Sequence, residues 1–137
     1  MKLTADDRAR LARAIKDAEA GHRGEIVVHL EPRVFGNPLK RAAKLFVEKG
    51  ADKTKEGTGA LLYIATASKI AAVWAGKGVK GGDQQVTWRP VFAALKASPV
   101  LSVDAVVAAI AALGKVLAEA CPGADVHGNE LGDGVST

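Results

Sequence analysis

Aromatic side chains are scarce in this 137-residue chain: two tryptophans, one tyrosine and three phenylalanines make up 4% of it. A core must therefore be assembled from Ala, Val, Leu and Ile. The 48% apolar content supplies enough of these for one domain of ordinary size. There is a single cysteine, Cys121, which excludes an internal disulfide and suits a reducing compartment. It falls late in an apolar helical pattern with no evident base beside it, so a buried, inert thiol is expected. No apolar run reaches the roughly 18–20 residues of a membrane-spanning helix. The stretch from Met1 to Arg8 lacks the apolar segment of a secretory signal, so a cytoplasmic location is expected.

Other absences narrow the chemistry. His22, His29 and His127 show no zinc spacing. No Gly-x-Ser-x-Gly or comparable nucleophile motif occurs. The run Gly76-Lys-Gly-Val-Lys-Gly81 matches G-x-G-x-x-G, but it follows a third strand instead of a first and lacks an immediate helix. The positions about twenty residues on, Pro99, Val100 and Leu101, offer no acid for a ribose. No Gly-Lys-Ser/Thr follows either, so no nucleotide cofactor is expected. A glycine loop leaving a strand is the simpler reading.

The net charge of +4 is unevenly spread. Residues 40–80 carry nine basic side chains against three acidic, whereas residues 116–137 carry four acidic and no basic ones. The basic stretch could face nucleic acid, but its aromatics, Phe46, Tyr63 and Trp74, fall at core positions and leave few stacking platforms. No nucleic-acid partner is expected. A protein partner of unspecified kind stays open.

The periodicities give an element order of helix, strand, helix, strand, strand, helix, helix. Thr4 is placed to cap a helix containing Leu11 and Ile15, which ends near Gly21. Glu25–Glu31 reads as a strand covered on both faces. Asn37-Pro38 opens a second helix expected to turn Leu39, Ala42, Ala43, Phe46 and Val47 inward and to stop at Gly50. Gly59–Ala65 and Ser68–Ala75 read as an antiparallel pair. Thr87 is a candidate cap for a helix with Trp88, Val91, Phe92 and Leu95. Ser102 caps the longest helix, with a stripe of Val103, Val106, Val107, Ile110, Leu113 and Leu117, closed by Pro122-Gly123. The first two strands, joined through a helix, should be parallel. A single α/β domain follows, with helices on both faces of a small mixed sheet.

Four segments in order carry a resemblance: Gly24-Glu-Ile-Val-Val28, Thr54 to Ala65, Ala75-Gly-Lys-Gly-Val79 and Asn129-Glu-Leu-Gly-Asp133. Together they resemble the TPM domain, also called the TPM phosphatase family, over nearly the whole chain. The resemblance implies a Rossmann-like, three-layer α/β/α sandwich. It also implies calcium binding or acid phosphatase activity, which some members show. Many members are secreted or membrane-tethered, and this chain lacks such a signal. The family's Gly-Asp-x-Gly-Ile after the third strand is here Ala75-Gly76-Lys77-Gly78-Val79. The missing aspartate weakens any cation site it serves in relatives, and Asp83 is the nearest substitute.

The acidic, glycine-punctuated tail is the most distinctive segment. Asn129, Glu130 and Asp133, with Asp125 upstream and His127 beside them, are oxygen-rich in a way that core packing does not require. Two readings stay open. The tail locks the chain end onto the domain, or Asn129, Glu130 and Asp133 hold a divalent cation. Calcium suits such oxygens because it takes about six to eight of them in flexible geometry. An EF-hand loop does not fit, since Glu130 and Ser136 occupy the positions needing glycine and glutamate. Glu25 or Glu31, at the two ends of the first strand, could add a carboxylate. The rule that ligands favour carboxyl ends of strands selects Glu31. His29, between Val28 and Leu30, reads as a satisfied core histidine. A divalent-cation-binding or regulatory module is the first expectation and a metal-dependent phosphatase the second.

Overall fold

The structure, a computed structural model, describes residues 1–80, 88–124, 130–132 and 134–137, without the side chain of Lys80. The first helix, α1 (Ala5–Glu19), starts at a complete capping box. Thr4 Oγ1 accepts from the Asp7 amide at 3.0 Å, and the Asp7 carboxylate accepts from the Thr4 amide at 2.9 Å. Strand β1 (Glu25–Glu31) follows, then α2 (Pro38–Glu48), β2 (Gly59–Ala65) and β3 (Ile70–Ala75). A single helical turn, α3 (Lys77–Lys80), precedes α4 (Arg89–Lys96) and the long α5 (Val103–Ala120); a two-residue strand, β4 (Val135–Ser136), ends the chain.

The four strands form one mixed sheet in the order β3-β2-β1-β4. β1 runs parallel to β2, with Glu25 opposite Gly59 and Glu31 opposite Ala65. β2 and β3 are antiparallel, as their short turn requires. Alternation along β1 and β2 divides the apolar residues between two cores. Ile26, Val28, Leu30, Ala60, Leu62 and Ile64 face α1, α4 and α5. Val27, Leu61 and Tyr63 face α2 through Ala42, Leu45 and Phe46. The result is the expected three-layer α/β/α sandwich. Gly114 of α5 lets α1 approach closely, since a Cβ there would lie 2.6 Å from the Ala18 carbonyl oxygen. Cys121 is fully buried, and burial pushes its thiol pKa up, so it is an inert core residue.

Several expectations are corrected. In α2 the inward face is Ala42, Leu45 and Phe46, while Leu39 and Val47 are 48% and 57% exposed. The helix is apolar on more than one face, so periodicity alone chose the wrong stripe. β3 begins at Ile70 instead of Ser68, because Lys69 adopts φ 52° and ends the turn. The segment read as a glycine loop folds at Lys77–Lys80 into a helical turn. Gly76 and Gly78 are close-packing glycines: Cβ atoms there would lie 2.3 Å and 2.2 Å from the carbonyl oxygens of Gly57 and Glu56. Trp88 occupies the cap position of α4 and makes no side-chain cap; the expected cap, Thr87, lies outside the described residues. β4 was not foreseen, because two residues carry no periodicity.

Candidate functional site

β1 brings chemistry to both of its ends, on the face that packs against α2. Glu25, Val27, His29 and Glu31 share that face by alternation. At the carboxyl end, Glu31 accepts from Arg41 Nε at 3.2 Å and from Arg41 Nη2 at 3.0 Å, a bidentate pair set by α2. The Tyr63 hydroxyl, from the neighbouring strand, donates to Glu31 Oε2 at 2.5 Å. His29 Nε2 lies 3.0 Å from Glu31 Oε1, and His29 Nδ1 lies 2.8 Å from Ser136 Oγ of β4.

The protonation pattern follows from these contacts. Arg41 beside Glu31, reinforced by the Tyr63 and His29 bonds, holds the Glu31 carboxyl down at about 2. Burial and the adjacent carboxylate push the Tyr63 phenol up. Burial lowers the His29 pKa, outweighing the pull of Glu31, so the ring is neutral at pH 7. With Glu31 an acceptor only, the ring proton belongs on Nε2. Nδ1 then accepts the Ser136 hydroxyl proton at 2.8 Å, in preference to the more distant Val28 carbonyl oxygen at 3.4 Å. The outcome is a directed chain, Ser136 to His29 to Glu31, assembled from residues at the two far ends of the sequence. Arg8 binds the Val135 carbonyl at 3.4 Å and the Thr137 hydroxyl at 3.1 Å. A cavity of about 350 Å³ lies beside Glu31, Arg8 and Thr137, outside the carboxyl ends of the parallel strands.

At the amino end, Glu25 is 3% exposed, and its carboxylate accepts from the Glu130 amide at 2.5 Å. The Glu130 carboxylate in turn accepts from the Lys55 amide at 3.2 Å. Leu131 packs against the α2-side core. From there the tail joins the sheet edge as β4, with Val135 and Ser136 opposite Val28 and His29. Thr54, one residue before Lys55, has a buried hydroxyl oxygen with no hydrogen-bond partner among the described residues.

Of the expected cation ligands, the two that are described, Glu130 and Glu31, lie apart. Glu130 meets Glu25, not Glu31. Glu25 and Glu31 stand at opposite ends of the seven-residue strand, about 20 Å apart at the usual rise. Glu31 is committed to Arg41, Tyr63 and His29. Asn129 and Asp133, with Asp83, Asp125 and His127, lie outside the described residues. Among the described residues no three His, Cys, Asp or Glu side chains converge as a metal group. His29 is satisfied, as expected of a core histidine, but its partner Ser136 was missed. The pairing depends on the register of β4 against β1, which no local pattern specifies. Of the two strand-end carboxylates left open in the sequence, the carboxyl-end rule favours Glu31, whereas the tail's Glu130 amide contacts Glu25.

Comparison with known proteins agrees with the fold. A sequence model of the TPM domain matches residues 2–97. The fold is similar to the NMR structure of the BA42 protein from the psychrophilic bacterium Bizionia argentinensis, with a TM-score of 0.84 and 28% identity over 99% of this chain and 95% of that one. No curated protein matches it. Among the described residues no helix is long and apolar enough to cross a membrane. With the domain model spanning most of the sequence, the chain belongs to the TPM domain family.

Proposed function

We propose that the protein is a divalent-cation-binding module, with calcium as the cation, and that the site lies where the tail meets the amino ends of β1 and β2. The observation that carries this reading is the buried Thr54 hydroxyl, which has no hydrogen-bond partner among the described residues and sits next in the chain to the amide gripped by Glu130. A buried hydroxyl left unsatisfied costs about 1–3 kcal/mol. A hard cation or its bound water removes that cost. Glu25, Glu130 and Thr54 provide oxygen donors of the type calcium takes, though fewer than the six to eight or so it fills. Backbone carbonyls, water and the tail residues Asn129 and Asp133 would complete the shell. Gly76, standing where the resemblance places an aspartate, and the positive charge of the adjacent Lys77 make the expected affinity modest. Such a module would serve in the cytoplasm as a cation-responsive binding or regulatory domain.

The discriminating variant is Thr54→Val. If the hydroxyl is a ligand, the variant loses calcium-induced stabilisation. If it is merely unsatisfied, the variant is more stable than the parent and responds to calcium unchanged.

A second reading, hydrolysis of phosphate esters, draws support from the Ser136–His29–Glu31 chain, which supplies a hydroxyl, a neutral base and an orienting carboxylate. Arg8 at the neighbouring Thr137 would balance developing negative charge. A cation at the tail, four strand positions from His29 and so about 13 Å away by strand rise, would not contact the reacting groups, so this hydrolysis would be independent of the metal. Turnover of an aryl phosphate by the purified chain, lost in Ser136→Ala, is its test. Absence of turnover in the parent removes it.

A further inference from the structure

A cavity of about 520 Å³ lies between the β2–β3 hairpin and the end of α4, lined by none of the residues of the Glu25–Glu130 contact. Its wall is apolar: Ile64, Ala71, Phe92, Leu95 and Leu101 line it. Its volume falls within the range of small-molecule sites, which pair an apolar wall with a few polar groups. The polar groups here are of one sign. Lys69 and Lys96 line the cavity together with Ser98, and among the described residues no acidic side chain does. Neither lysine makes an ion pair among the described residues.

Lys69 adds an independent sign. It is the one non-glycine residue at positive φ, 52°, among the described residues. The turn into β3 needs a left-handed residue, which glycine or asparagine adopts with less strain. A lysine there sets an exposed ammonium beside an apolar cavity at a conformational cost, and such outliers gather at ligand sites.

We infer that this cavity binds a small amphipathic anion: an aliphatic or aromatic body against Phe92, Leu95 and Leu101, with its carboxylate or sulfonate held by Lys69 and Lys96. The two cations select the head group, and the cavity wall selects the apolar body. The site is separate from the proposed cation site and does not depend on it.

Decanoate and decyltrimethylammonium, which share a chain and differ in charge, test it by titration of the full-length protein followed by amide chemical shifts. Decanoate is expected to bind saturably and at least tenfold more tightly than the cationic probe, with the largest shifts at Ile64, Ala71, Phe92 and Leu101. The preference should shrink as salt rises, because the lysines are near the surface. The double variant Lys69→Asn/Lys96→Gln should bring the two affinities together. Asn tolerates the left-handed turn, so this variant should keep its melting temperature. Ala71→Leu, which fills the cavity, should abolish both responses. Equal affinities in the parent, shifts centred elsewhere, or an unchanged preference in the double variant would overturn the inference, as would absence of saturable decanoate binding.

Discussion

Ser136 Oγ lies 2.8 Å from His29 Nδ1, so the last strand is tied to the first by a side-chain hydrogen bond spanning 107 positions. Among the described tail residues only Val135 and Ser136 pair with β1, and a two-residue ladder has little strength of its own. The side-chain bond therefore adds to the Arg8 and Glu25 contacts in seating the tail. Ser136→Ala should cost about 1 kcal/mol of stability. Its clearer effect should be local: faster amide hydrogen exchange in residues 134–136, with β2 unaffected. Unchanged exchange in the tail would show that Arg8 and the Glu25–Glu130 contact hold it without Ser136.

The Glu31 cluster predicts an acid-sensitive fold with two stages. His29 has a lowered pKa, so the folded state binds its proton less readily than the unfolded chain does. Its contribution is full above the unfolded value of 6.5 and declines as pH falls below it. Glu31 is held at about 2 against an ordinary 4.5, so its contribution is full above 4.5 and is lost as pH falls towards 2. The second stage is the larger, up to about 3 kcal/mol before solvent screening trims it. Urea unfolding between pH 8 and 2 should show a shallow decline below 6.5 and a steep one below 4.5. In Glu31→Gln the steep limb should flatten.

Arg41 and Tyr63 should not be equivalent supports of Glu31. Tyr63→Phe removes one hydrogen bond to a charged group, worth about 1.5–3 kcal/mol. Arg41→Met removes the countercharge and leaves a largely buried carboxylate unpaired, which should cost about 3–5 kcal/mol. The Arg41 variant should also raise the Glu31 pKa, moving the acid limb to higher pH. Equal losses in the two variants would contradict the assignment of Arg41 as the main cause of the depressed pKa.

Much of this architecture is legible in local signals. Thr4, Asn37 and Ser102 cap helices because their side chains reach amides two or three residues ahead, a contact fixed by spacing alone. β1 and β2 follow from short β-branched and aliphatic runs bounded by glycine and proline. The outward placement of Leu39 and Val47 is not legible, because α2 has apolar residues on both sides and only the sheet decides which side is buried. The site is less legible than the fold for a related reason. The partnerships of Glu130 with Glu25 and of Ser136 with His29 are set by the register of a two-residue strand. Sequence spacing marks Glu130 as a tail residue of interest, but it does not show that its amide contacts Glu25 at the amino end of β1.

Close helix packing at Gly114 gives a test of the scaffold that is independent of any ligand. A Cβ at this position would meet the Ala18 carbonyl oxygen at 2.6 Å, a backbone atom that cannot swing aside. Gly114→Ala should therefore destabilise by about 1–3 kcal/mol despite alanine's better helix propensity. Thermal melting should show a drop of several degrees. A rise would mean that α1 and α5 can part without loss.

The most direct test of the cation reading is the melting temperature of the purified chain at rising calcium concentration, compared with Glu25→Gln and Thr54→Val. A ligand bound only by the folded state at about a hundred times its Kd adds roughly 2.7 kcal/mol, a shift of several degrees in a domain of this size. The account predicts that shift in the parent at millimolar calcium and its loss in both variants. A flat titration in the parent, or equal shifts in all three proteins, would contradict it.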